Sequence, residues 1–251
     1  MLKVLAGSDP KSEPLRLHIH FLLVLACTIS PGTHAEDRKD TVTTPLQLDA
    51  QHAKAAHLRS QVNDLVAMVK AKQLAAAGAK AAELRKAYEA TFTAGLRQYT
   101  FQSEAEFNEF RKSAGDKFEW IDWGYKECLQ MQAFLAVERK DFASGLAILK
   151  SIELVAPISA GTAIETGYVL NQLGKPDEGL SAYRRAHAIS VNYASQRPYR
   201  AMALRGMGVA LIDLHQLDEA ERVLFESLEI EPGNQVALHE LAYIRDLRGS
   251  K

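Results

Sequence analysis

Apolar residues recur every three or four positions along most of this chain, which is the period of an amphipathic α-helix. Two such stripes lie between residues 46 and 98: Leu58, Val62, Leu65 and Val69, followed by Leu84, Tyr88, Phe92 and Leu96. Helix-breaking residues are sparse, with 15 glycines and 8 prolines among 251 residues. The pattern therefore predicts an all-α chain whose N-terminal part is a helical hairpin or a coiled-coil arm.

Pairs of small residues recur at matching places in the second half of the chain. The pairs, each separated by 12 positions, are Ala133 and Gly145, Gly167 and Gly179, and Gly208 and Ala220. Successive pairs are 34 and then 41 residues apart. Small side chains at both places allow two antiparallel helices to approach closely. We therefore expect three helix-turn-helix units within residues 126–232 and a closing helix at 234–249.

Local signals mark several helix ends. Ser103 with Glu106 three positions later matches a capping box, so a helix is expected to begin there. Asp141 is a candidate N-cap. Gly174 and Pro176 are placed as expected where one helix ends and the next begins.

The repeated segment resembles the tetratricopeptide repeat, a helix-turn-helix unit of about 34 residues with small residues at the helix crossing. Val191 stands where the repeat usually has proline, and the extra residues at 190–200 predict longer helices in the second unit. The resemblance implies a solenoid of about three repeats plus a closing helix, which follows the N-terminal hairpin. Together with the uncharged run at 21–30, described below, it leads us to expect an exported bacterial-type member of this family. The resemblance also implies a concave groove, lined by the first helix of each repeat, that holds a segment of another polypeptide.

Four residues are candidates for partner binding in that groove. Phe134, Tyr168 and Val209 each follow the first small residue of a repeat, and Arg205 is the basic residue with suitable helical phase. They predict burial of an apolar or amphipathic segment, with one charge-assisted contact from Arg205. In a second interpretation, Phe134 and Tyr168 pack against the N-terminal helices instead.

The N-terminus carries an uncharged run, FLLVLACTIS at 21–30, downstream of basic residues. It is too short to span a bilayer and suits a signal peptide. Cleavage after Ala35 would divide the chain into a signal peptide at 1–35, an N-terminal helical region at 36–118 and a repeat domain at 119–251. The protein is then exported, to the periplasm or the medium. Alternatively, VLAC at 24–27 is a lipoprotein box that tethers Cys27 to a membrane, or the run is a buried apolar segment.

Aromatic residues cluster between the hairpin and the repeats. They are Tyr99, Phe101, Phe107, Phe110, Phe118, Trp120, Trp123 and Tyr125. One interpretation is that they seal the junction between the N-terminal helices and the first repeat, because the open end of a solenoid must be covered. The other is a platform for a small ligand.

The net charge and the motifs of the sequence reduce the number of functions that the chain is expected to have. The net charge is -1, with basic and acidic residues interleaved, so nucleic acid is not an expected partner. No catalytic, cofactor or metal-ligating motif is recognised: His52 and His57 are poorly spaced for one helical face, and the helix at His239 lacks a second histidine. We interpret Cys128 as a buried structural thiol. The alternative interpretation is that Cys128 is a nucleophile.

One basic concentration stands out from this even charge distribution. It comprises Arg184, Arg185, His187, Arg197, Arg200 and Arg205. Helical phase spreads these residues over several faces, which indicates a solvated surface. An acidic peptide or an anionic head group is the alternative partner for them.

The sequence as a whole favours a non-catalytic scaffold for protein–protein interaction, and the resemblance to the tetratricopeptide repeat family implies a role in envelope assembly or as a co-chaperone. Its partner is another protein or a peptide, with no cofactor. A small-ligand receptor that uses Trp120 and Trp123 is the alternative within the binding class, and a cysteine-dependent activity at Cys128 is the alternative within the enzyme class. The oligomeric state is left open.

Overall fold

The computed structural model describes residues 53–115 and 117–249 of the chain. The predicted signal peptide and the alternative lipid attachment at Cys27 lie outside these residues. Within the described residues, no helix is both long enough and apolar enough to cross a membrane.

Ten α-helices and two short strands make up the described part of the chain. They are α1 (Arg59–Lys70), α2 (Leu74–Glu89), β1 (Arg97–Thr100), α3 (Glu104–Ala114), β2 (Phe118–Ile121), α4 (Gly124–Glu138), α5 (Phe142–Val155), α6 (Ala160–Gln172), α7 (Pro176–Asn192), α8 (Arg200–Asp213), α9 (Leu217–Ile230) and α10 (Gln235–Gly249). Short 3-10 helices occupy Ala56–Leu58 and Ala194–Tyr199. The all-α class and the solenoid are confirmed.

The N-terminal hairpin consists of α1 and α2, and it packs within the chain against α4. Its first apolar stripe is buried as the period predicts, at Leu58, Val62, Leu65 and Val69. The second stripe is buried at Leu84 and Tyr88. Leu96 is exposed because α2 ends at Glu89, before the stripe is complete.

Residues 97–121 form a β-α-β unit that the sequence pattern did not predict. β1 and β2 pair in parallel, with Arg97 opposite Phe118 and Thr100 opposite Ile121. Each strand has four residues, too few for an alternating pattern to be distinguished from a helical one. The aromatic residues of the strands pack against those of α3, with Phe107 stacked on Trp120 at 4.8 Å between ring centroids. These rings therefore form a small core of their own.

Glu119 ties this unit to the segments that precede α1 and follow α2. Its carboxylate accepts hydrogen bonds from Lys54 Nζ at 2.7 Å and from the backbone N–H of Thr93 at 2.8 Å. Burial by itself raises the pKa of Glu119, but the hydrogen bonds from Lys54, Thr93 and Gln98 outweigh it and lower the pKa to about 2.

The lowered pKa of Glu119 gives a pH-dependent contribution to stability. Because the folded-state pKa lies below the ordinary value of 4.5, the stabilisation is present above that pH and is lost as the pH falls towards 2. We expect Glu119→Gln to have a lower midpoint of thermal unfolding than the wild type at pH 7, and the difference to vanish near pH 2. A difference that stays constant between these pH values would contradict this assignment.

Three helical hairpins form the repeats: α4 with α5, α6 with α7, and α8 with α9. The aligned small residues lie where the two helices of each hairpin cross. A Cβ atom at Gly208 would lie 2.7 Å from Leu224 Cδ2, and one at Gly167 would lie 2.8 Å from Tyr183 Cζ. Larger side chains at these two positions would push the helices apart, so the predicted phase of the repeats is confirmed.

The predicted helix ends are also found. Ser103 Oγ accepts from the backbone N–H of Glu106 at 3.2 Å, and Asp141 Oδ1 accepts from the backbone N–H of Ser144 at 3.1 Å. Gly174 has a φ of 71°, in the left-handed region that favours glycine.

The second repeat is extended partly as expected, by a longer second helix, and partly by a short 3-10 helix that was not expected. The extra residues lengthen α7 to 17 residues, and the remainder forms the 3-10 helix Ala194–Tyr199 rather than more α-helix. Gln196 in this segment donates to Glu106 Oε1 at 3.0 Å and accepts from the backbone N–H of Ala160 at 3.1 Å. The extension therefore joins the β-α-β unit to the start of α6.

Two hydrophobic clusters run through the stack. The first joins α1 and α2 to the first repeat, and the second joins the later repeats to α10. The predicted domain boundary between 118 and 119 falls inside β2, which spans Phe118–Ile121.

Candidate functional site

The candidate groove is the side of the first helices, α4, α6 and α8, that faces away from α5, α7 and α9. These three helices are buried over most of their length. Tyr168 and Val209 are half-buried, whereas Phe134 is 4% exposed and belongs to the first hydrophobic cluster. Tyr168 also packs against that cluster. The partner-binding role of the three residues stays a prediction, and Val209 is the one that contributes least to the core.

Arg205, the fourth predicted partner-binding residue, already has a partner within the chain. It is 2% exposed, and its Nη1 atom lies 2.6 Å from Glu231 Oε2. Asn234 Nδ2 donates to the same oxygen at 3.1 Å. The guanidinium charge is therefore compensated by a residue that follows α9, a contact that helical phase alone did not reveal.

A group of buried polar side chains lies between α4 and α6, and we call it the α4–α6 polar cluster. It comprises Lys126, Glu127, Gln130 and Glu165. Gln130 Nε2 donates to Glu165 Oε2, and Lys126 Nζ donates to Glu127 Oε1 at 3.3 Å. The sequence signal for this cluster was a glutamate within the otherwise uncharged helix at 160–172, because a charged side chain is seldom fully buried without a reason.

The electrostatics of the α4–α6 polar cluster leave Glu165 poorly compensated. Burial raises the pKa of Glu165, Lys126 lowers it and Glu127 raises it, with a net value of about 8. The ionised form of this carboxyl is therefore costly at neutral pH. A cationic hydrogen-bond donor placed next to Glu165 would stabilise the ionised form of its carboxyl.

The alternative site at Cys128 finds no support. The thiol is fully buried, and burial together with Glu127 and Asp122 raises its pKa to about 12. The thiolate is the reactive form of cysteine, so this residue is protonated and shielded at neutral pH.

The receptor alternative required one slot walled by both tryptophans. Trp120 stacks on Phe107 in the β-α-β unit, whereas Trp123 packs against the first hydrophobic cluster. Lys126 Nζ lies 4.9 Å from the centroid of the Trp123 ring, which makes that ring part of the surroundings of the α4–α6 polar cluster. The two tryptophans thus pack into different clusters.

Three arginines of the basic concentration around α7 form ion pairs with glutamates of the repeats. Arg184 pairs with Glu219 at 3.0 Å, and Arg185 pairs with Glu153. Arg200 Nη2 lies 3.1 Å from Glu226 Oε1. The first two pairs link the outer helices of neighbouring repeats, and the third lies within the third repeat. All three favour the solvated-surface interpretation over a site for an anionic partner.

A metal site in a protein needs several histidine, cysteine or carboxylate side chains at one place. Among the described residues, no group of three or more such side chains could hold a metal ion.

Comparison with known proteins identifies the repeated part of the chain. A family model described as tetratricopeptide repeat (TPR) matches residues 160–231. A search of the curated proteins finds no match. Among solved structures, the chain is similar to nearly identical TPR-like repeats assigned to a kinesin light chain of Podosopora anserina, at 14% identity and a TM-score of 0.54, covering 78% of this chain and 88% of that one.

Two further solved structures are similar to this chain. A single-substitution variant of the Podosopora anserina repeats gives a TM-score of 0.53 at 14% identity, with the same coverage of 78% and 88%. The first TPR of Spaghetti (RPAP3), bound to the HSP90 peptide SRMEEVD, gives a TM-score of 0.44 at 19% identity, covering 49% of this chain and 93% of that one. At these identities the likeness concerns the fold alone. Residues 160–231 therefore match the tetratricopeptide repeat family, within a helical stack that has the fold of TPR-like solenoids.

Proposed function

We propose that this protein is a non-catalytic scaffold that binds a segment of another polypeptide in the groove formed by α4, α6 and α8. Tetratricopeptide repeats generally mediate protein–protein interactions, and this chain carries them at 160–231. The observation that supports the groove most directly is the equivalent placement of Tyr168 and Val209. Each follows the glycine at a helix crossing, and each is half-buried on a helix that is otherwise mostly buried.

The chemistry of these positions favours an apolar or amphipathic segment. Valine and the tyrosine ring bind a partner by burial of apolar area, which stabilises a contact by about 25 cal/mol per Å². Arg205 is paired with Glu231, so any contact that it makes with a partner would be shared with that carboxylate.

Val209→Glu tests the groove, because a charge placed there opposes burial of an apolar segment. The probe is a set of peptides selected from a random displayed library on the wild-type chain. We expect the selected peptides to lose at least about tenfold in affinity for Val209→Glu, which corresponds to ~1.4 kcal/mol. Fluorescence anisotropy with labelled peptides measures the affinity.

The matched control for this experiment is Phe225→Glu. Phe225 is 53% exposed on the outer helix α9, so the same acidic substitution there should leave peptide affinity unchanged. Circular dichroism and thermal unfolding confirm that both variants fold. A folded Val209→Glu variant that binds the selected peptides as well as the wild type does would place the binding surface elsewhere.

An exported setting, with envelope assembly or co-chaperone work as the biological role, is also part of this proposal. It rests on the uncharged run at 21–30 and on the cleavage site after Ala35. The N-terminal residue of the native protein decides it: a chain that begins at Glu36 is expected, and one that retains residue 1 would remove the exported setting.

A further inference from the structure

We propose that the α4–α6 polar cluster is the anchor for a cationic side chain, an arginine or a lysine, of the polypeptide bound in the groove. This inference rests on the proposed function and specifies the chemistry of the partner. The cluster lies on the groove side of its helices by phase. Glu165 is three residues before the half-buried Tyr168, so the two share one face of α6. Gln130 of α4 is brought to the same place by its hydrogen bond to Glu165.

Two buried acceptor atoms in the cluster have no hydrogen-bond partner. They are Gln130 Oε1 and Glu165 Oε1, on side chains that are both 1% exposed. The hydrogen bond from Gln130 Nε2 to Glu165 Oε2 joins the two side chains, so the free oxygens belong to one contiguous group. A buried acceptor left unsatisfied is destabilising, and native proteins keep few of them. When the Glu165 carboxyl is ionised, both of these oxygens are acceptors only, and the cluster lacks donors for them.

The charge of the cluster indicates what kind of donor it lacks. Lys126 is the cation that acts on Glu165, but its ammonium hydrogen-bonds to Glu127 and lies beside the Trp123 ring. Burial therefore still favours the protonated form of the Glu165 carboxyl. An incoming guanidinium or ammonium supplies both the missing donors and the missing positive charge.

The other charged groups packed around α6 are already engaged. Glu153 of α5 accepts from Thr166 Oγ1 at 2.9 Å and pairs with Arg185 of α7. Arg205 of α8 pairs with Glu231. Of the carboxyls named here, Glu127, Glu153 and Glu231 each form an ion pair, whereas Glu165 does not. Arginine and lysine carry their charge at the end of a long apolar stem, so the charged end can reach a polar cluster while the stem lies against apolar groove residues.

The test uses the full chain and peptides selected from the random displayed library. We expect an arginine or lysine to be enriched at one position of the peptides selected on the wild type, and the enrichment to be absent from selections on Glu165→Gln. One selected peptide is then compared with its citrulline analogue, which keeps the shape of arginine and removes the charge. The wild type should bind the analogue at least about tenfold more weakly, and Glu165→Gln should bind the two peptides equally.

Measuring the peptide affinity at several pH values distinguishes direct binding by Glu165 from a structural role, because a purely structural role would not make the affinity depend on ionisation of Glu165. Binding of the cation requires ionised Glu165, so the affinity of the wild type should rise about tenfold between pH 6 and pH 7. Glu165→Gln should lack this rise, whereas Glu229→Gln, an equivalent change at an exposed position of α9, should retain it. If Glu165→Gln does not fold, Gln130→Leu removes the other free acceptor. This variant should bind the arginine peptide more weakly than the wild type does, but should keep the rise with pH because Glu165 is retained; unchanged affinity would contradict the anchor.

The outcomes separate this inference from the proposed function. Selected peptides that are sensitive to Val209→Glu but bind equally well as arginine and citrulline forms would overturn the cationic anchor and leave the groove intact. The free oxygens would then be satisfied by buried water only. If no peptide is selected on the wild type, the proposed function fails and the anchor fails with it.

Discussion

Replacing Gly206 with alanine is expected to lower the free energy of unfolding by about 1–3 kcal/mol, the usual cost of overpacking a core. Gly206 lies in α8, and a Cβ atom there would be 2.2 Å from Cε1 and 2.3 Å from Cδ1 of Tyr183. Tyr183 is buried in the second hydrophobic cluster and also lies close to Gly167 of α6, so its ring has little room to move away from an added methyl group. Chemical denaturation of the wild type and the variant measures the difference.

Gly78→Ala is the matched control, because it makes the same substitution in a helix with room for the methyl group. A Cβ atom at Gly78 would be 3.4 Å from Leu135 Cδ1, an ordinary contact distance. Alanine there should stabilise the protein by about 0.5–1 kcal/mol, since glycine within a helix costs that much relative to alanine. Equal effects of the two substitutions would show that α7 and α8 are not in close contact at Gly206.

The second large effect is expected at Asp122, which is fully buried. Its Oδ1 atom accepts from Tyr88 Oη at 3.0 Å and from the backbone N–H of Gly124 at 2.8 Å, and its Oδ2 atom pairs with Arg59. Asp122→Ala leaves these three donors without their acceptor. We expect a loss of about 3 kcal/mol, the lower end of the range for breaking a buried ion pair, because the Arg59 side chain is 32% exposed.

Two variants show whether the loss comes from the hydrogen-bond network. Tyr88→Phe removes a single donor and should cost about 1 kcal/mol. Asp64→Ala removes an exposed carboxylate of α1 and should leave the free energy of unfolding within about 0.5 kcal/mol of the wild type. An Asp122→Ala variant as stable as Asp64→Ala would mean that Asp122 does not join α1, α2 and α4.

The sequence by itself determined the features of this protein that depend on residues close together in the chain. The stripe from Leu58 to Val69 became the buried face of the first helical hairpin, and Asp141 capped α5 through a residue three positions away. The prediction that small residues lie at the helix crossings was also confirmed. Gly208 and Leu224 belong to the two helices of one repeat, so this contact too joins residues that are close in the chain. Helical period, caps and turns depend on residues that are close in the chain, so they can be predicted from a single sequence.

Only the tertiary structure decided which distant residues meet. The parallel pairing of β1 with β2 depends on a register between Arg97 and Phe118, which four-residue strands do not encode as a period. Helical phase placed Arg205 on the groove side but could not reveal its pairing with Glu231. The contact of Gln130 with Glu165 joins successive repeats and satisfies only part of their hydrogen-bonding capacity. Burial and partner of a polar side chain are set by how helices stack, and that is a property of the folded chain rather than of any single segment.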